Sequence, residues 1–522
     1  MKYPIGTQSF ENLRTGGYVY VDKTDLVYKM VDEGRIYILC RPRRFGKSLL
    51  VSTLKAYFSG RRDLFEGLAI DKLEKEWAAY PVFHFDFNGA NYEDDETALE
   101  MRLDFHLRIY EDIYGCDSRN TTLGDRFQYL LDAAYRQTGR KCVVLVDEYD
   151  KPILDALDTP MEDKNRNMLK GFYSTFKSAD DNLRFVLLTG VTKFSQVSVF
   201  SGFNQPADIS MNPDYDAICG ITEEELFSVF VEPIARMADL FGYTVDETKR
   251  ELKRMYDGYH FSNALLDIYN PFSLLNAFAS KDFRDFWFAS GTPAYLVKLL
   301  SHTRESINEL TGKYYDAGMF ADYKADVEQP LPMIYQSGYL TIKGYDREDR
   351  TYLLDFPNNE VRKGFLSVIA AGYFKVGNND YPTTWCRESS RQLRKGEVSS
   401  FVTSMTAFLA SIPYDAHPAL KNIQATEKHF QYTFYLILRL MGTYCQLFIE
   451  KEYSQGRVDC IMEMKDYVYI FEFKLDGNAD EAIAQINQRG YATPYIADAR
   501  QVRKVGIVFS SESRTISEWK EE

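Results

Sequence analysis

The sequence predicts an α/β protein whose N-terminal part is a parallel β-sheet with helices on both faces. Three apolar runs, at residues 36–40, 141–148 and 183–190, alternate with helical stretches. Runs that are apolar throughout indicate strands buried on both faces, which is typical of parallel sheets. Because the carboxyl ends of parallel strands share one edge, we expect the polar residues that end these runs to converge there.

The chain of 522 residues is too long for one hydrophobic core, and we expect three parts. Residues 1–215 hold the parallel sheet, residues 216–400 form a mostly helical middle region, and residues 401–522 form a second α/β domain. Within the middle region, residues 333–355 read as the end of a helix, a strand, a charged turn and another strand. That order predicts a small helical module with a β-wing, as in a winged helix.

A basic loop, Arg-Pro-Arg-Arg-Phe-Gly-Lys-Ser, follows the first apolar run and opens a helix. Backbone N–H groups and the positive end of the helix dipole meet at such a junction, which favours a bound phosphate. Lys47 is expected to reach the outer phosphates of a nucleotide, and the Ser48 hydroxyl to ligate Mg²⁺. The residues expected at the nucleotide are Arg43, Arg44, Phe45, Gly46, Lys47, Ser48 and Leu49.

This loop departs from the general motif G-x-x-x-x-G-K-[ST], because Arg41 stands where that motif has its first glycine. Pro42 also lacks an N–H donor. We therefore expect a modified phosphate cradle, to which Arg43 or Arg44 adds charge-assisted hydrogen bonds. The alternative is a coincidental helix start.

The second apolar run ends in two acidic residues, Asp147 and Glu148. In nucleotide hydrolysis, carboxylates at this place hold Mg²⁺ and polarise the attacking water. We expect Asp147 to hold the metal and Glu148 to act on the water, at the same edge of the sheet as the basic loop. The alternative is a strand that ends in two solvated acids.

A second group of candidate residues, Asp459, Glu472 and Lys474, lies near the C-terminus. Residues two apart on a strand share a face, so Glu472 and Lys474 point the same way while Phe473 points into the core. If the strand of Asp459 pairs beside them, the carboxylates hold Mg²⁺ and Lys474 orients or activates a water for phosphodiester hydrolysis. Glu427, on a predicted helix before these strands, is a further candidate ligand. Alternating charges on an exposed strand produce the same E-x-K pattern.

Composition and charge argue against a uniformly basic nucleic-acid-binding protein, a disulfide-rich or zinc protein and a membrane protein. The net charge of −14 excludes a uniformly basic surface, so any contact with nucleic acid must use local patches. Seven scattered cysteines without a C-x-x-C pair indicate reduced thiols rather than a disulfide framework or a zinc site. The N-terminus lacks an apolar signal core and no run is long enough to span a membrane, so we expect a cytoplasmic protein without a membrane partner.

Motifs along most of the chain form a recognisable set: Tyr-Val-Asp-Lys-Thr at 20–24, the basic loop at 41–49, Val-Asp-Glu-Tyr-Asp-Lys-Pro at 146–152, Thr-Gly-Val-Thr-Lys-Phe-Ser at 189–195 and Tyr-Asp-Gly-Tyr-His-Phe at 256–261. With them the sequence resembles the bacterial AAA-ATPase-like family that carries a C-terminal PD-(D/E)XK nuclease-like domain. The resemblance implies an ATP-binding P-loop NTPase domain, in which Arg41 at the glycine position is normal. It also implies that Thr189 senses the γ-phosphate, with Lys193 as a neighbour.

The order of the C-terminal residues resembles the PD-(D/E)XK core, a restriction-endonuclease-like α/β fold, with Gln485 and Tyr491 as supporting residues. Together these features predict an ATPase that uses Mg²⁺ and controls a Mg²⁺-dependent nuclease acting on DNA or RNA. In an alternative, ATP drives a conformational switch, and the nuclease-like domain binds nucleic acid or a protein without cleavage. A third hypothesis is an ATPase that acts on protein partners. The oligomeric state stays open.

Overall fold

The computed structural model describes residues 1–193, 206–289, 310–321, 330–374, 381–411, 433, 436–442, 445–453 and 456–522. The chain forms two compact units, Met1–Val361 and Arg362–Glu522. The first unit contains the predicted sheet domain and most of the predicted middle region, and the boundaries at residues 215 and 400 stay predictions. No described helix has both the length and the apolar composition that a membrane crossing requires. All seven cysteines lie in described residues, and none forms a disulfide.

The first unit is built on a parallel sheet, as the apolar runs predicted. Its described strands, in the order β2-β3-β4-β1-β5, are β1 (Ile36–Cys40), β2 (Val82–Asp86), β3 (Cys142–Asp147), β4 (Leu183–Gly190) and β5 (Ala207–Asp208). Every pairing between them is parallel, with Leu39 opposite Thr189. β3 is buried along its whole length, so both of its faces are covered. The carboxyl ends of β1, β3 and β4 lie at one edge of the sheet, and β4 separates the other two.

Helices connect these strands and pack against them. The helix Lys47–Phe58 begins directly after the loop that follows β1, and it contacts β3 and β4. Between β2 and β3, the chain turns at Gly115, whose φ of 88° is a conformation that glycine adopts without strain. The other described helices of this part are Phe10–Thr15, Thr24–Glu33, Ala69–Leu73, Ala98–Tyr114, Leu123–Thr138, Lys151–Leu154, Met161–Tyr173 and Thr175–Ser178.

The middle of the first unit is mostly helical, as predicted. Its described helices are Glu223–Val229, Val231–Phe241, Val245–Tyr256, Pro271–Ser280 and Phe286–Ala289. Thr222 and Thr244 each cap a helix through a capping box, so the local sequence determines where these helices begin. The strands β6 (Ile221–Thr222) and β7 (Ile268–Tyr269) pair antiparallel beside them. The buried core that these elements share includes Leu226, Phe230, Leu252, Tyr256 and Leu274.

Both strands predicted at the end of this region are present, with a third strand that was not predicted, and the winged-helix module stays a prediction. The strands β8 (Lys313–Asp316), β9 (Thr341–Asp346) and β10 (Thr351–Asp355) form an antiparallel sheet in the order β8-β10-β9. Two short helices, Ala317–Phe320 and Leu331–Gln336, lie between β8 and β9 in the sequence. The strand expected near residue 340 begins at Thr341, and the charged turn follows it.

The second unit is a mixed α/β fold, as predicted. Its described strands, in sequence order, are β11 (Gln446–Tyr453), β12 (Gly456–Glu463), β13 (Tyr467–Leu475), β14 (Gln501–Phe509) and β15 (Ile516–Glu521). Only β13 and β14 pair in parallel among the described strands of this sheet, because the helix Ala479–Gln488 crosses over between them. The helices Asn359–Phe374, Tyr381–Arg394 and Val398–Ala410 precede the sheet in the sequence.

Candidate functional site

The loop between β1 and the helix Lys47–Phe58 has the backbone geometry of an anion site. Arg44 has a φ of 68° and Gly46 a φ of 96°, so two residues with left-handed backbone alternate with residues whose φ is negative. The successive main-chain N–H groups from Arg44 to Leu49 have no hydrogen-bond acceptor among the described residues. Adjacent N–H groups in such a turn form a concave nest that binds anions, and a helix N-terminus adds its positive dipole.

Lys47 lies over this nest. Its side chain is 5% exposed, and Nζ donates hydrogen bonds to the carbonyl oxygens of Arg41 (3.0 Å) and Pro42 (3.2 Å). The ammonium group therefore contacts two main-chain oxygens of its own loop rather than a carboxylate. Ser48 follows in the first turn of the helix with a half-buried side chain. The predicted lysine and hydroxyl are thus both beside the nest.

Arg41 does not point toward this nest. Its guanidinium is 1% exposed and donates to the carbonyl oxygens of Cys40 (3.0 Å), Ser210 (2.7 Å) and Tyr215 (3.1 Å). It also stacks 4.0 Å from the centre of the Phe261 ring. The side chain at the first glycine position of the general motif is therefore accommodated because it turns away from the loop into the protein.

Phe45 also points into the protein. Its ring is 1% exposed and packs edge-on against Tyr259 (4.8 Å between ring centres) and Phe261 (5.5 Å). Of this residue, only the main-chain N–H faces the nest. Arg44 is exposed, with its guanidinium 5.0 Å from the centre of the Phe272 ring.

The neighbouring Arg43 is half-buried, and its carbonyl oxygen accepts a hydrogen bond from Trp287 Nε1 at 3.0 Å. Residues of the middle region thus contact the loop at Arg43 and Arg44. The structure places both Arg43 and Arg44 in the loop, where the sequence predicted bonds to phosphate, and that role stays a prediction.

Asp147 ends β3 beside this loop. It is 4% exposed, and its Oδ1 accepts a hydrogen bond from Thr189 Oγ1 at 2.7 Å. Thr189 is fully buried on β4, the strand between β3 and β1. The hydroxyl that the resemblance assigned to phosphate sensing therefore orients the Asp147 carboxylate.

Glu148 follows with a φ of 55°, which turns its half-buried side chain away from the direction of β3. Its carboxylate has no hydrogen-bond partner in the described part of the chain. Burial raises the pKa of Glu148, and the nearby Lys47 ammonium opposes that rise. An unpartnered carboxylate with a raised pKa has the character of a proton acceptor.

Asp150 belongs to this site and was not singled out from the sequence. It is 1% exposed, and its Oδ2 accepts hydrogen bonds from the N–H groups of Val191 (2.9 Å) and Thr192 (2.6 Å) and from the Thr192 hydroxyl (2.9 Å). A Cβ at Gly190 would lie 2.5 Å from Asp150 Oδ1, so glycine is required there. Asp150 thus fixes the chain that leaves β4. The only sequence signal was its place in the acidic run after β3.

Lys193, the other residue of this segment that the resemblance named, forms an ion pair. Its Nζ lies 2.9 Å from Asp208 Oδ2, on the short strand β5. Its main-chain N–H donates to Gln336 Oε1 at 2.7 Å. The ion pair of Lys193 is therefore with β5, which lies on the side of β1 away from β3.

In the second unit, β12 and β13 bring together the residues predicted from the E-x-K pattern. Asp459 Oδ2 on β12 accepts a hydrogen bond from the main-chain N–H of Phe473 at 2.8 Å. On β13, Lys474 Nζ lies 3.3 Å from Glu472 Oε1. The two carboxylates and the ammonium group thus meet on one face of the sheet. The intervening Phe473 ring stacks with other aromatic rings of the strand, as the strand periodicity predicted.

Glu472 has the features of a metal ligand. It is 1% exposed, and its Oε2 has no hydrogen-bond partner among the described residues. Burial, and then the neighbouring Asp459, raise the pKa of Glu472 to about 7. A divalent cation would add positive charge beside the buried Glu472 and the half-buried Asp459, whose charges Lys474 alone only partly balances. Asp459 and Glu472 therefore fit Mg²⁺ in the type of their donor atoms.

Two further residues support this site as the resemblance implied. Gln485 Oε1 accepts a hydrogen bond from Lys474 Nζ at 2.6 Å, which fixes the lysine from the crossover helix. The Tyr491 hydroxyl donates to the carbonyl oxygen of Arg457 at 2.8 Å, two residues before Asp459. Glu427 lies outside the described residues, so its predicted role as a ligand stays a prediction.

Comparisons with known proteins match both regions. A family model described as predicted AAA-ATPase matches residues 4–200, and a model of the PD-(D/E)XK nuclease superfamily matches residues 425–519. A protein described as uncharacterized, from the vnfD 5′ region of Azotobacter chroococcum mcd 1, is 34% identical over 525 residues. That similarity covers 99% of this chain and 98% of the relative. The first matched region contains the loop that follows β1, and the second contains the carboxylates of β12 and β13.

Proposed function

Because this chain belongs to the AAA-ATPase-like family with a C-terminal PD-(D/E)XK nuclease-superfamily domain, we propose that it is an ATPase coupled to a nuclease. The first unit binds and hydrolyses ATP with Mg²⁺. The second unit cleaves phosphodiester bonds of DNA or RNA with Mg²⁺. The nucleotide state of the first unit controls cleavage by the second.

The observation that carries the ATPase proposal is the nest of N–H groups from Arg44 to Leu49 beneath the Lys47 ammonium. This arrangement offers several donors and one positive charge to a single anion. The β- and γ-phosphates of a nucleotide suit it because they carry several oxygens and more than one negative charge. When phosphate enters, Lys47 exchanges two carbonyl oxygens for phosphate oxygens, which are stronger acceptors for an ammonium group.

The acidic edge of the sheet supplies the remaining groups for hydrolysis. Ser48 and Asp147 would hold Mg²⁺, which neutralises charge on the phosphates. Thr189 keeps the Asp147 carboxylate in one orientation through its hydrogen bond at 2.7 Å. Glu148, with its raised pKa and no hydrogen-bond partner among the described residues, orients the attacking water and accepts its proton.

In the second unit, Asp459 and Glu472 would hold Mg²⁺, which stabilises the negative charge that develops on the phosphate. Lys474 lies 3.3 Å from Glu472 and 2.6 Å from Gln485, so its ammonium group is fixed beside the metal ligands. From there it orients the attacking water. The unpartnered Oε2 of Glu472 supports this proposal, because a buried carboxylate oxygen without a donor is stabilised by a cation.

A second candidate function is an ATP-dependent switch whose second unit binds nucleic acid or a protein without cleavage. The contacts of Lys474 favour it, since an ammonium group bound to both Glu472 and Gln485 also balances the charge of the site without a metal. Within this alternative, the net charge of −14 favours a protein over nucleic acid as the bound partner, because it limits the surface that can attract a polyanion.

The test measures ATP turnover and Mg²⁺-dependent nicking of plasmid and single-stranded substrates on the same full-length preparations. We expect Lys47→Ala to abolish ATP turnover and Asp459→Ala to abolish nicking. Lys55→Ala, an exposed lysine of the same helix, and Asp466→Ala, in the exposed turn between β12 and β13, serve as matched controls.

Each result decides one part of the proposal. Full ATP turnover in Lys47→Ala would refute the nucleotide site. Equal nicking by wild type and Asp459→Ala would assign the cleavage to a contaminant and refute the nuclease. Absence of nicking from wild type under all nucleotide states, together with binding of the same substrates, would support the switch.

A further inference from the structure

A cluster of three carboxylates lies in the middle region, away from both proposed catalytic sites. Glu223 starts the helix Glu223–Val229, Asp257 directly follows the helix Val245–Tyr256, and Asp267 directly precedes β7. One carboxylate oxygen of each residue lies within 4.8 Å of one oxygen of each of the others. Three separate segments of the chain therefore direct negative charge to one point.

Asp257 is the buried member of this cluster. It is 1% exposed, and neither of its carboxylate oxygens has a hydrogen-bond partner among the described residues. Burial, and then the charge of Asp267, raise the pKa of Asp257 to about 7. The hydroxyl of Tyr269 on β7 lies beside the same carboxylates, which raise its pKa after burial does. Buried polar atoms in native proteins are normally satisfied, so the two oxygens of Asp257 indicate a missing partner.

Lys253 supplies one positive charge to the cluster. Its Nζ lies 2.8 Å from Asp267, 3.0 Å from Glu223 and 3.7 Å from Asp257. The ammonium group hydrogen-bonds to the two outer carboxylates and remains too far from Asp257 to do so. On the outer side, His260 Nε2 lies 2.7 Å from Asp267 and gives Asp257 no hydrogen bond. The buried carboxylate is thus the one to which neither Lys253 nor His260 donates a hydrogen bond.

We propose that Glu223, Asp257 and Asp267 bind a divalent cation, and that the cation is Ca²⁺ rather than Mg²⁺. All three donors are carboxylate oxygens, which hard cations prefer. Ca²⁺ accepts several protein carboxylates in flexible geometry, whereas Mg²⁺ keeps most of its waters and takes one or two carboxylates. Lys253, half-exposed on a flexible stem, moves out when the ion enters.

The position of this cluster relates it to the phosphate loop of the same unit. Tyr259 follows Asp257 by two residues, and its ring packs 4.8 Å from that of Phe45. Phe261 follows in turn, and its ring lies 4.0 Å from the Arg41 guanidinium. An ion bound to Asp257 therefore fixes the start of the segment that packs against the loop. The binding test does not require ATPase or nuclease activity.

The experiment titrates CaCl₂ into metal-free, nucleotide-free full-length protein in a calorimeter, with MgCl₂ titrated in parallel. We expect wild type to bind one more Ca²⁺ per chain than Asp257→Asn. Glu223→Gln, at a half-buried ligand, is expected to weaken the same binding event about tenfold without loss of folded structure. Asp147→Asn and Asp459→Asn are expected to keep it, which separates this site from the two catalytic ones. Equal Ca²⁺ binding by wild type, Asp257→Asn and Glu223→Gln would overturn the proposal, as would a site that takes Mg²⁺ in preference.

Lys253→Met decides whether the lysine or the metal is the natural counter-ion. If a cation binds, removal of the competing ammonium group raises Ca²⁺ affinity by about tenfold. The control Lys249→Met, on the same helix, leaves Ca²⁺ affinity unchanged. If Lys253→Met binds no Ca²⁺ and only lowers the melting temperature, then Lys253 itself neutralises the cluster and the proposal is wrong.

Discussion

The buried carboxylate Glu472 makes the stability of the second unit depend on pH in a specific direction. Burial, and then the charge of Asp459, raise its pKa in the folded protein to about 7, above the ordinary value of 4.5 that it has in the unfolded chain. The native state therefore binds this proton more tightly, so the free energy of unfolding falls as pH rises from about 4.5 to about 7. A difference of about 2.5 pKa units corresponds to about 3 kcal/mol, and Glu472 is too buried for solvent to screen it.

Replacement by glutamine removes this titration and keeps the shape of the side chain. In metal-free protein at pH 8, we expect Glu472→Gln to raise the free energy of local opening of β12 and β13 by about 3 kcal/mol relative to wild type. At pH 4 the two proteins are expected to be nearly equal, because wild-type Glu472 is then protonated in both states. Hydrogen exchange of peptides from β12 and β13, corrected for the intrinsic exchange rate, measures this energy.

The control is Glu481→Gln, on the exposed side of the crossover helix, which should leave the exchange of these strands unchanged. At pH 8, added Mg²⁺ is expected to slow exchange in wild type and to have much less effect in Glu472→Gln, since the metal uses the carboxylate charge. A wild-type opening energy that is constant or rises between pH 5 and pH 8 would refute this reasoning. The same pH slope in both proteins would refute it too.

Further predictions concern the first unit. Glu148→Gln is expected to lower ATP turnover by about 10²–10⁴-fold, because it removes the general base. ATP binding, measured by equilibrium dialysis, should persist. Unchanged phosphate release would contradict this role. Arg41→Ala leaves buried carbonyl oxygens without a donor and should lower the free energy of unfolding, measured in urea, by about 3 kcal/mol. An unaltered urea midpoint would contradict this prediction. Thr189→Val removes the hydrogen bond to the Asp147 carboxylate and is expected to raise the Mg²⁺ concentration for half-maximal ATP turnover about tenfold. An unchanged Mg²⁺ dependence would show that the Thr189 hydroxyl does not orient the carboxylate.

Local sequence patterns were sufficient for the elements that carry both candidate sites. The runs that became β1, β3 and β4 are mostly apolar because both faces of a parallel strand lose contact with water. That requirement can be recognised in the sequence alone. The pairing of Glu472 with Lys474 follows from the two-residue period of a strand. The phosphate loop is likewise local, since its donors come from consecutive residues that lead into a helix.

Local sequence patterns could not predict the direction of the Arg41 side chain or the hydrogen bonds that Asp150 accepts. Arg41 turns from the loop because carbonyl oxygens near residues 210 and 215 accept its hydrogen bonds, far along the chain. Asp150 acts on residues 191 and 192 because β3 and β4 are neighbours in the sheet. In both cases the partner lies on another element, and sequence spacing carries no information about it.

The sequence by itself determined the strands, the phosphate loop and the paired residues on β13, because each depends on neighbours within a few positions. Tertiary structure alone decided which buried charges remain without a partner. The carboxylates of Glu223, Asp257 and Asp267 meet only after three segments pack together. Asp257 has no hydrogen-bond donor among the described residues, because Lys253 lies closer to the other two carboxylates. Burial and long-range contact create that electrostatic demand, and they exist only in the folded chain.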